Sequence, residues 1–275
     1  MVDIIAARAQ IGKFFYEYGF NEILSSVPQN RLVEIISGLA MKGNQSKTAD
    51  FAELGQRVRT TYGHFLSKGK WNEKKVSQKQ QEGAFRKLAE LALARQIPLY
   101  LSIDDTVIEK KNPSSRAKRP MEGTGWHYSH LEGKQVFGYQ VFGANISVDD
   151  FSLCYCLRRC CPENGSKIDM AVVLLSYPKN AFGNHHALRV FICSDLTLSD
   201  EEILAHYPHR WNIEVMLKQQ KMYMGLKTFM VRSAKAIDRL FIILPLVHFF
   251  FAVLYDTLLP LSAAIRCFRT ALCIF

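Results

Sequence analysis

The sequence predicts an α/β fold, with an all-helical region over residues 1–96 followed by strands and helices over residues 97–275. Two observations predict this organisation. Up to Arg95, apolar residues recur at spacings of three and four, which is typical of one buried helix face. From Ile97 onward, short runs rich in β-branched and aromatic residues replace that spacing, which is typical of strands. We therefore expect helices first and a sheet second.

Caps and helix breakers predict the boundaries in the N-terminal region. Thr48 followed by Asp50 indicates a helix start, and Ser77 is predicted to cap a long basic helix that ends near Gln96. Breaks are predicted at Pro28-Gln29-Asn30, Gly43-Asn44 and Lys68-Gly69-Lys70. This region is predicted to be a small helical domain.

The second region predicts a sheet that begins with a short apolar strand leading directly into Asp104-Asp105-Thr106. The second and third strands are predicted to pair as an antiparallel hairpin and to join the first. Lys167–Tyr177 is predicted to be a crossover helix. The strands are predicted at Ile97–Ile103, Gln135–Ser147, Phe151–Leu157 and Leu188–Cys193.

The positive charge of the chain is concentrated in one segment. The formal net charge is +10, and residues 57–119 alone carry 15 basic and 6 acidic groups. Such clustering favours a surface that binds the phosphates of a nucleic acid, and a solvated basic helix is the alternative. A basic loop after the first strand is predicted to contact DNA, with an idle surface loop as the alternative. Its cations are Lys110, Lys111, Arg116, Lys118 and Arg119.

Cysteine usage and the apolar segments favour a cytoplasmic protein. The seven cysteines are an odd number, and the N-terminus lacks a signal-peptide pattern, which fits a reducing compartment. Cys154 and Cys156 share one strand face, so buried cysteines are favoured over a zinc site formed with Cys160 and Cys161. A helix that spans a bilayer needs about 20 residues. The apolar run Leu240–Tyr255 is shorter than this, so we expect a helix buried on a sheet and no membrane partner.

Charged side chains recur along a helix predicted to begin at Ser199. At about 100° per residue they share one helix face, while Ile213 and Leu217 are predicted to face the core. A solvent-facing stripe is the alternative, but Asp104 and Asp105 upstream stand where a strand tip would present a catalytic group. Carboxylates that hold metal ions beside cations that hold phosphates suit phosphodiester chemistry. The residues on the helix face are Tyr207, Arg210, Glu214, Lys218 and Lys221.

The run from Tyr207 to Lys221 resembles the Tyr-x₂-Arg-x₃-Glu-x₆-Lys signature of DDE transposases of the insertion-sequence-four type. Ile103-Asp104-Asp105-Thr106 resembles the first catalytic strand of that family. The order of elements from Ile97 to about Ala263 is similar to the family's RNase H-like catalytic domain, and the N-terminal helices are similar to its DNA-binding region.

This resemblance implies roles for individual residues. It implies that Asp105 and Glu214 bind the catalytic metal, with Asp104 as the alternative to Asp105. It also implies that Tyr207, Arg210 and Lys221 contact DNA phosphates near the cleaved end, and Lys218 lies on the same predicted face. The implied cofactor is Mg²⁺, with Mn²⁺ as a substitute. The implied partner is double-stranded DNA of the transposon terminal repeats, which the family cleaves and joins to target DNA; a homodimer is left open.

The middle carboxylate of the family's catalytic triad has no counterpart in this sequence. The segment between Arg158 and Leu188 is short, and it must also contain the predicted crossover helix. Asp169 falls at the start of that helix, and Asp195 falls in a turn. Met170–Tyr177 resembles a junction left by an internal deletion, and Cys267–Phe275 resembles a truncated or frameshifted end.

Because two carboxylates hold a pair of mutually repelling metal ions poorly, we expect a catalytically defective transposase remnant that still binds DNA. An active transposase, an inhibitor of an intact relative and a small membrane protein are the other hypotheses.

Overall fold

The computed structural model describes residues 2–111, 119–129, 132–160, 172–176, 179–181, 184, 187–193 and 196–254. The chain is mixed α/β and divides into two compact units. The first comprises Met1–Cys160 and Asn212–Phe275, and the second comprises Cys161–Trp211.

The N-terminal region is helical, as predicted. The helix start at Thr48 is confirmed, and the carboxylate of Asp50 accepts a 2.6 Å hydrogen bond from the backbone N–H of Lys47. The predicted break at Pro28 is wrong, because a proline in the first turn of a helix removes no intrahelical hydrogen bond. The helices are α1 (Val2–Glu17), α2 (Phe20–Ile23), α3 (Ser26–Lys42), α4 (Thr48–Leu54), α5 (Arg59–Lys68) and α6 (Glu73–Arg95).

The long basic helix α6 begins before the predicted cap, Ser77. Its N-cap is Asn72, whose side-chain oxygen accepts a 3.0 Å hydrogen bond from the N–H of Lys75, as N-cap residues typically do. The predicted end is confirmed, because the helix closes at Arg95 and Gln96 adopts a left-handed conformation with a positive φ. A left-handed residue after the last turn is a common way to end a helix.

The sheet of the first unit is antiparallel throughout, and β3 pairs with each of the other three strands. The predicted hairpin and its pairing with the first strand are confirmed. The strand β2 lies in a stretch that we expected to be loop. The strands are β1 (Tyr100–Glu109), β2 (Gly125–Ser129), β3 (Lys134–Val148) and β4 (Phe151–Arg159).

The first strand is longer than predicted, and this changes the setting of its two aspartates. Thr106, Val107 and Ile108 extend β1 through a β-branched run. Ile108 pairs with Tyr139 of β3. Asp104 and Asp105 therefore lie in the middle of the strand and not at its carboxyl end.

One apolar core joins the N-terminal helices to the sheet. The helix α9 (Ala234–Leu254) packs against α1, α3, α5, α6 and β4, and its buried Phe249 belongs to the same core as Leu66 and Ile146. The boundary predicted at residue 96 therefore does not separate two cores, because α9 buries its apolar surface against elements from both sides of that position.

The helix α9 is longer than the apolar run predicted, because Ala234–Arg239 is helical too. It has 21 residues, its most apolar window of 18 residues has a mean hydropathy of 2.1, and this is enough in length and composition to cross a bilayer; 72% of that window is buried inside the protein. This burial agrees with the expectation of a core helix, whose apolar residues find their partners within the fold.

The second unit holds a two-stranded antiparallel pair, β5 (Val172–Ser176) and β6 (Arg189–Cys193). The strand β6 was predicted. The crossover helix predicted over Lys167–Tyr177 is wrong in its described part, because the β-branched start of β5 pairs with β6 in extended conformation. Asp169 and Asp195 lie outside the described residues. The same is true of both ends of Met170–Tyr177, the segment that resembles a deletion junction, and of Cys267–Phe275.

The long helix predicted from Ser199 is divided into three parts. The start is confirmed: α7 (Asp200–His206) has a capping box in which Ser199 and Glu202 each bond the other's backbone N–H. A 3₁₀ turn then spans Tyr207–Arg210, and α8 (Trp211–Tyr223) follows. Pro208 lacks a backbone N–H and its ring crowds the preceding turn, which disfavours a continuous α-helix.

Candidate functional site

The two motifs that carry the family resemblance meet in the first unit. The ammonium group of Lys221 on α8 donates a 2.6 Å hydrogen bond to the hydroxyl of Thr106 on β1. Gly143 of β3, which pairs with Asp104, leaves room for the helix, since a Cβ atom at this position would lie 3.0 Å from Cδ2 of Leu217. The helix α8 therefore packs directly on the face of the sheet that Thr106 shares.

Strand alternation places the two aspartates on opposite faces of this sheet. Asp104 shares the face of Thr106 and lies opposite Gly143, so it is on the side that α8 covers. Asp105 points to the other face, where it is exposed and accepts a hydrogen bond from the side-chain amide of Gln140. The carboxylate next to α8 is therefore Asp104, the residue that the resemblance made the alternative.

The helix α8 presents the remaining residues of the signature in the first unit. Ile213 and Leu217 are buried, which confirms the predicted core face. Glu214 is half-buried and Lys218 is exposed. Burial, together with the nearby charge of Lys227, lowers the pKa of Lys221, whose ammonium group is turned inward to Thr106.

Tyr207 and Arg210 belong to the second unit and lie in the 3₁₀ turn, so the predicted continuous helix, on which they shared a face with Glu214, is interrupted. The ring of Tyr207 packs edge-on against Phe191 of β6, with 4.4 Å between the ring centres, an arrangement that aromatic pairs favour. Arg210 donates a 3.2 Å hydrogen bond from Nε to the Tyr207 hydroxyl. The guanidinium carbon of Arg210 lies 5.4 Å from the centre of the same ring. The two side chains therefore form one partly exposed cationic and aromatic pair.

The basic loop after β1 contains side chains of two kinds. Lys110 is only 6% exposed, and its ammonium group donates hydrogen bonds of 2.7 and 2.8 Å to the carbonyls of Lys227 and Phe229. Burial, with a smaller contribution from Lys227, lowers the pKa of Lys110 to about 8. Lys111 and Arg119 are exposed and available to a partner. Arg116 and Lys118 lie outside the described residues.

A pair of divalent ions does not fit the side chains that the structure describes. Within these residues no three histidine, cysteine, aspartate or glutamate side chains gather as a metal-binding group. Asp104 and Glu214 are the carboxylates associated with the α8 side of β1, and two ions a few ångströms apart require more shared anionic ligands than these. Among the same residues Cys154 and Cys156 take no part in a disulfide bond.

Sequence reasoning missed a set of polar side chains buried in the first unit. His248 of α9 is fully enclosed, and its Nδ1 lies 3.3 Å from both the backbone nitrogen of Cys154 and the side-chain amide nitrogen of Gln220. Burial lowers the pKa of His248 to about 4, so this side chain is neutral at pH 7. Asn145 on β3 is completely buried, and among the described residues neither of its side-chain polar atoms has a hydrogen-bond partner. The sequence did contain an indication of these buried polar groups, because Asn145 and Ser147 interrupt an apolar strand, where polar residues are uncommon.

No protein-family model matches the chain, and the search of curated proteins found no relative. The family resemblance therefore depends on the residues of the two motifs and on their arrangement.

Proposed function

We propose that the chain binds duplex DNA of a transposon end as a catalytically defective protein of the DDE transposase type. The observation that carries this proposal is the hydrogen bond between Lys221 and Thr106. It joins the last residue of the helical signature to the strand that bears the aspartate motif, although the two segments are 115 positions apart in the sequence.

The arrangement of the sheet supports an RNase H-like core as part of this proposal. The strands β1, β3 and β4 are antiparallel neighbours, and α8 packs on the face of β1 and β3 that carries Asp104. On this basis Asp104 replaces Asp105 as the proposed first carboxylate of the site, because only Asp104 shares a side of the sheet with Glu214's helix.

The distribution of charge supports DNA as the partner. Residues 57–119 carry 15 basic against 6 acidic groups, and most of the described cations in this segment are exposed to solvent. Phosphate neutralisation by such side chains supplies most of the affinity in binding that does not depend on base sequence. The exposed cations are Arg57, Arg59, Lys68, Lys70, Lys74, Lys75, Arg86, Arg95, Lys111 and Arg119.

The small number of metal-binding carboxylates supports the proposed loss of DNA cleavage. Asp104 and Glu214 would hold a single Mg²⁺ or Mn²⁺ weakly, and a pair of ions would need a further carboxylate between them. Metal-dependent phosphodiester chemistry would require that pair. DNA binding uses other side chains and does not depend on it.

A salt titration of DNA binding tests the proposal. We expect filter binding of the intact chain to a duplex to weaken linearly in log K against log salt, with a slope of about 0.9 per phosphate contacted. Replacing Lys74 and Lys75 by glutamine should reduce the slope by about 1 to 2. Lys13→Gln, at an exposed position outside the basic segment, is the matched control and should leave the slope unchanged. A profile that does not respond to salt would overturn the proposal.

A further inference from the structure

A large cleft in the first unit is separate from the β1 and α8 site. Its volume is about 1180 Å³, which is large enough for a small organic molecule. Its walls are the segment from the end of α3 into α4, the helix α5, and the connection between α8 and α9. No residue of the proposed DNA-cleavage motif lines it.

The walls of this cleft are held in place by hydrogen bonds. The hydroxyl of Thr228 donates a 2.6 Å hydrogen bond to the carbonyl of Asn44, 184 positions away. Ser46 donates a 2.9 Å hydrogen bond to the carbonyl of Gly38. These bonds join the walls to one another and to α3, so contacts within the fold hold the shape of the cleft, as is usual for small-molecule sites.

The floor of the cleft is apolar and partly aromatic. Phe51 and Leu66 are buried there, and Phe229 lies beside them on the lining. Met224 is also buried, whereas Met230 is 78% exposed at the edge. Methionine side chains adapt their shape and contact aromatic rings favourably, so this lining suits a flat aromatic body.

The rim of the cleft is positively charged. The acidic group among the lining residues, Asp50, accepts a 2.6 Å hydrogen bond from Lys42 and so is neutralised within the fold. Lys47 and Arg59 are exposed on the same lining, and neither forms an ion pair with another described residue. Two cations therefore remain to face an incoming group.

We propose that this cleft binds a small amphipathic anion, with an aromatic body on the apolar floor and an anionic group against Arg59 and Lys47. Arg59 suits a planar or tetrahedral anion because its guanidinium presents paired donors. Phe51, Leu66 and Met224 are already buried and shape the floor, so the hydrophobic affinity comes from the partly exposed Met41, Phe229 and Met230, in proportion to the area that the ligand covers. The evidence for this site is separate from that for DNA binding, although Arg59 is also one of the exposed cations of the basic segment.

Two dyes of nearly the same shape test the proposal on the intact chain. 8-Anilinonaphthalene-1-sulfonate carries a sulfonate, and N-phenyl-1-naphthylamine is the same aromatic body without it. We expect both to bind with enhanced fluorescence and a stoichiometry of one. Arg59→Gln combined with Lys47→Gln should weaken binding of the sulfonate by about tenfold and leave binding of the neutral dye unchanged. Arg57→Gln, an exposed neighbour outside the lining, is the control and should alter neither.

Three outcomes would overturn the proposal. The sulfonate could fail to bind, which would show that the cleft does not accept such an anion. The double variant could weaken both dyes equally or neither, which would show that the rim cations do not select for charge. Duplex DNA could displace the sulfonate in a manner that the double variant abolishes, which would assign Lys47 and Arg59 to the DNA surface.

Discussion

The ammonium group of Lys221 lies 2.6 Å from the hydroxyl oxygen of Thr106, although the two residues are 115 positions apart in the sequence. This hydrogen bond fixes α8 against β1. It also determines which aspartate faces the helix, because side chains alternate along a strand and Asp104, two positions from Thr106, must share its face.

The contact between Lys221 and Thr106 should be measurable as an energetic coupling. We expect Thr106→Val and Lys221→Met each to lower the free energy of unfolding by about 1 kcal/mol, because each leaves one partner without its hydrogen bond. The double variant should lose less than the sum, with a coupling of about 1 kcal/mol in urea denaturation. Lys218→Met, on an exposed position of the same helix, should show no coupling with Thr106→Val. If the double variant lost as much free energy of unfolding as the two single variants together, the hydrogen bond between Thr106 and Lys221 would be contradicted.

Lys110 and Lys111 are neighbours that should respond in opposite ways to substitution. Lys110→Met should lower the free energy of unfolding by about 2 kcal/mol, because the carbonyls of Lys227 and Phe229 lose their donor, and should leave the salt dependence of DNA binding unchanged. Lys111→Gln should leave stability unchanged and reduce the slope by about 0.9 if it contacts a phosphate. Thermal unfolding and filter binding check both variants, and a reduced slope for Lys110→Met would show that this lysine reaches DNA.

The intact chain should fail to nick or join transposon-end DNA in Mg²⁺ or Mn²⁺. The reason is that Asp104 and Glu214, the carboxylates that the described part of the chain offers on this side of β1, would not hold a pair of ions. Glu214→Gln should be equally inactive in a plasmid-nicking assay, with an added nuclease as the positive control for the substrate. Cleavage by the intact chain that Glu214→Gln abolishes would mean that the site is complete.

His248 should make the protein sensitive to acid. Its pKa is 6.5 in the unfolded chain and about 4 in the fold, so the unfolded state binds the proton more readily between these values. The stability contributed by the neutral imidazole is therefore present in full above the unfolded pKa and is lost as the pH falls toward the folded one. Urea denaturation at pH 7 and pH 4 should show a loss about 3 kcal/mol larger for the intact chain than for His248→Gln. Equal losses in the two proteins would refute this account.

Several elements could be predicted from the sequence because local interactions specify them. The antiparallel hairpin of β3 and β4 follows from two β-rich runs separated by a short polar turn. The start of α7 follows from Ser199 and Glu202, which satisfy each other's backbone within one turn. The interruption at Pro208 could also have been predicted from local chemistry, but one continuous helix was predicted instead.

The burial of Lys110 could not be predicted in the same way. A lysine within a basic loop is normally solvated, and the loop's composition gave no sign of a different role. Its ammonium group is drawn inward by the carbonyls of Lys227 and Phe229, which are distant in sequence, and by the ring of Phe229 at 3.7 Å. Only the folded chain brings these groups together.

By itself, the sequence determined the helical N-terminal region, the strand order of the hairpin, the concentration of positive charge and the two motifs that resemble a transposase, because each is written in neighbouring residues. The tertiary structure decided which aspartate faces α8, which lysine is buried and that α9 joins both regions in one core. The face on which each aspartate lies depends on β1 continuing as a strand beyond Asp105. The burial of the lysine and the position of α9 depend on which segments, distant in sequence, pack against each other. Packing between segments distant in sequence is set by the whole fold, so no local pattern specifies it.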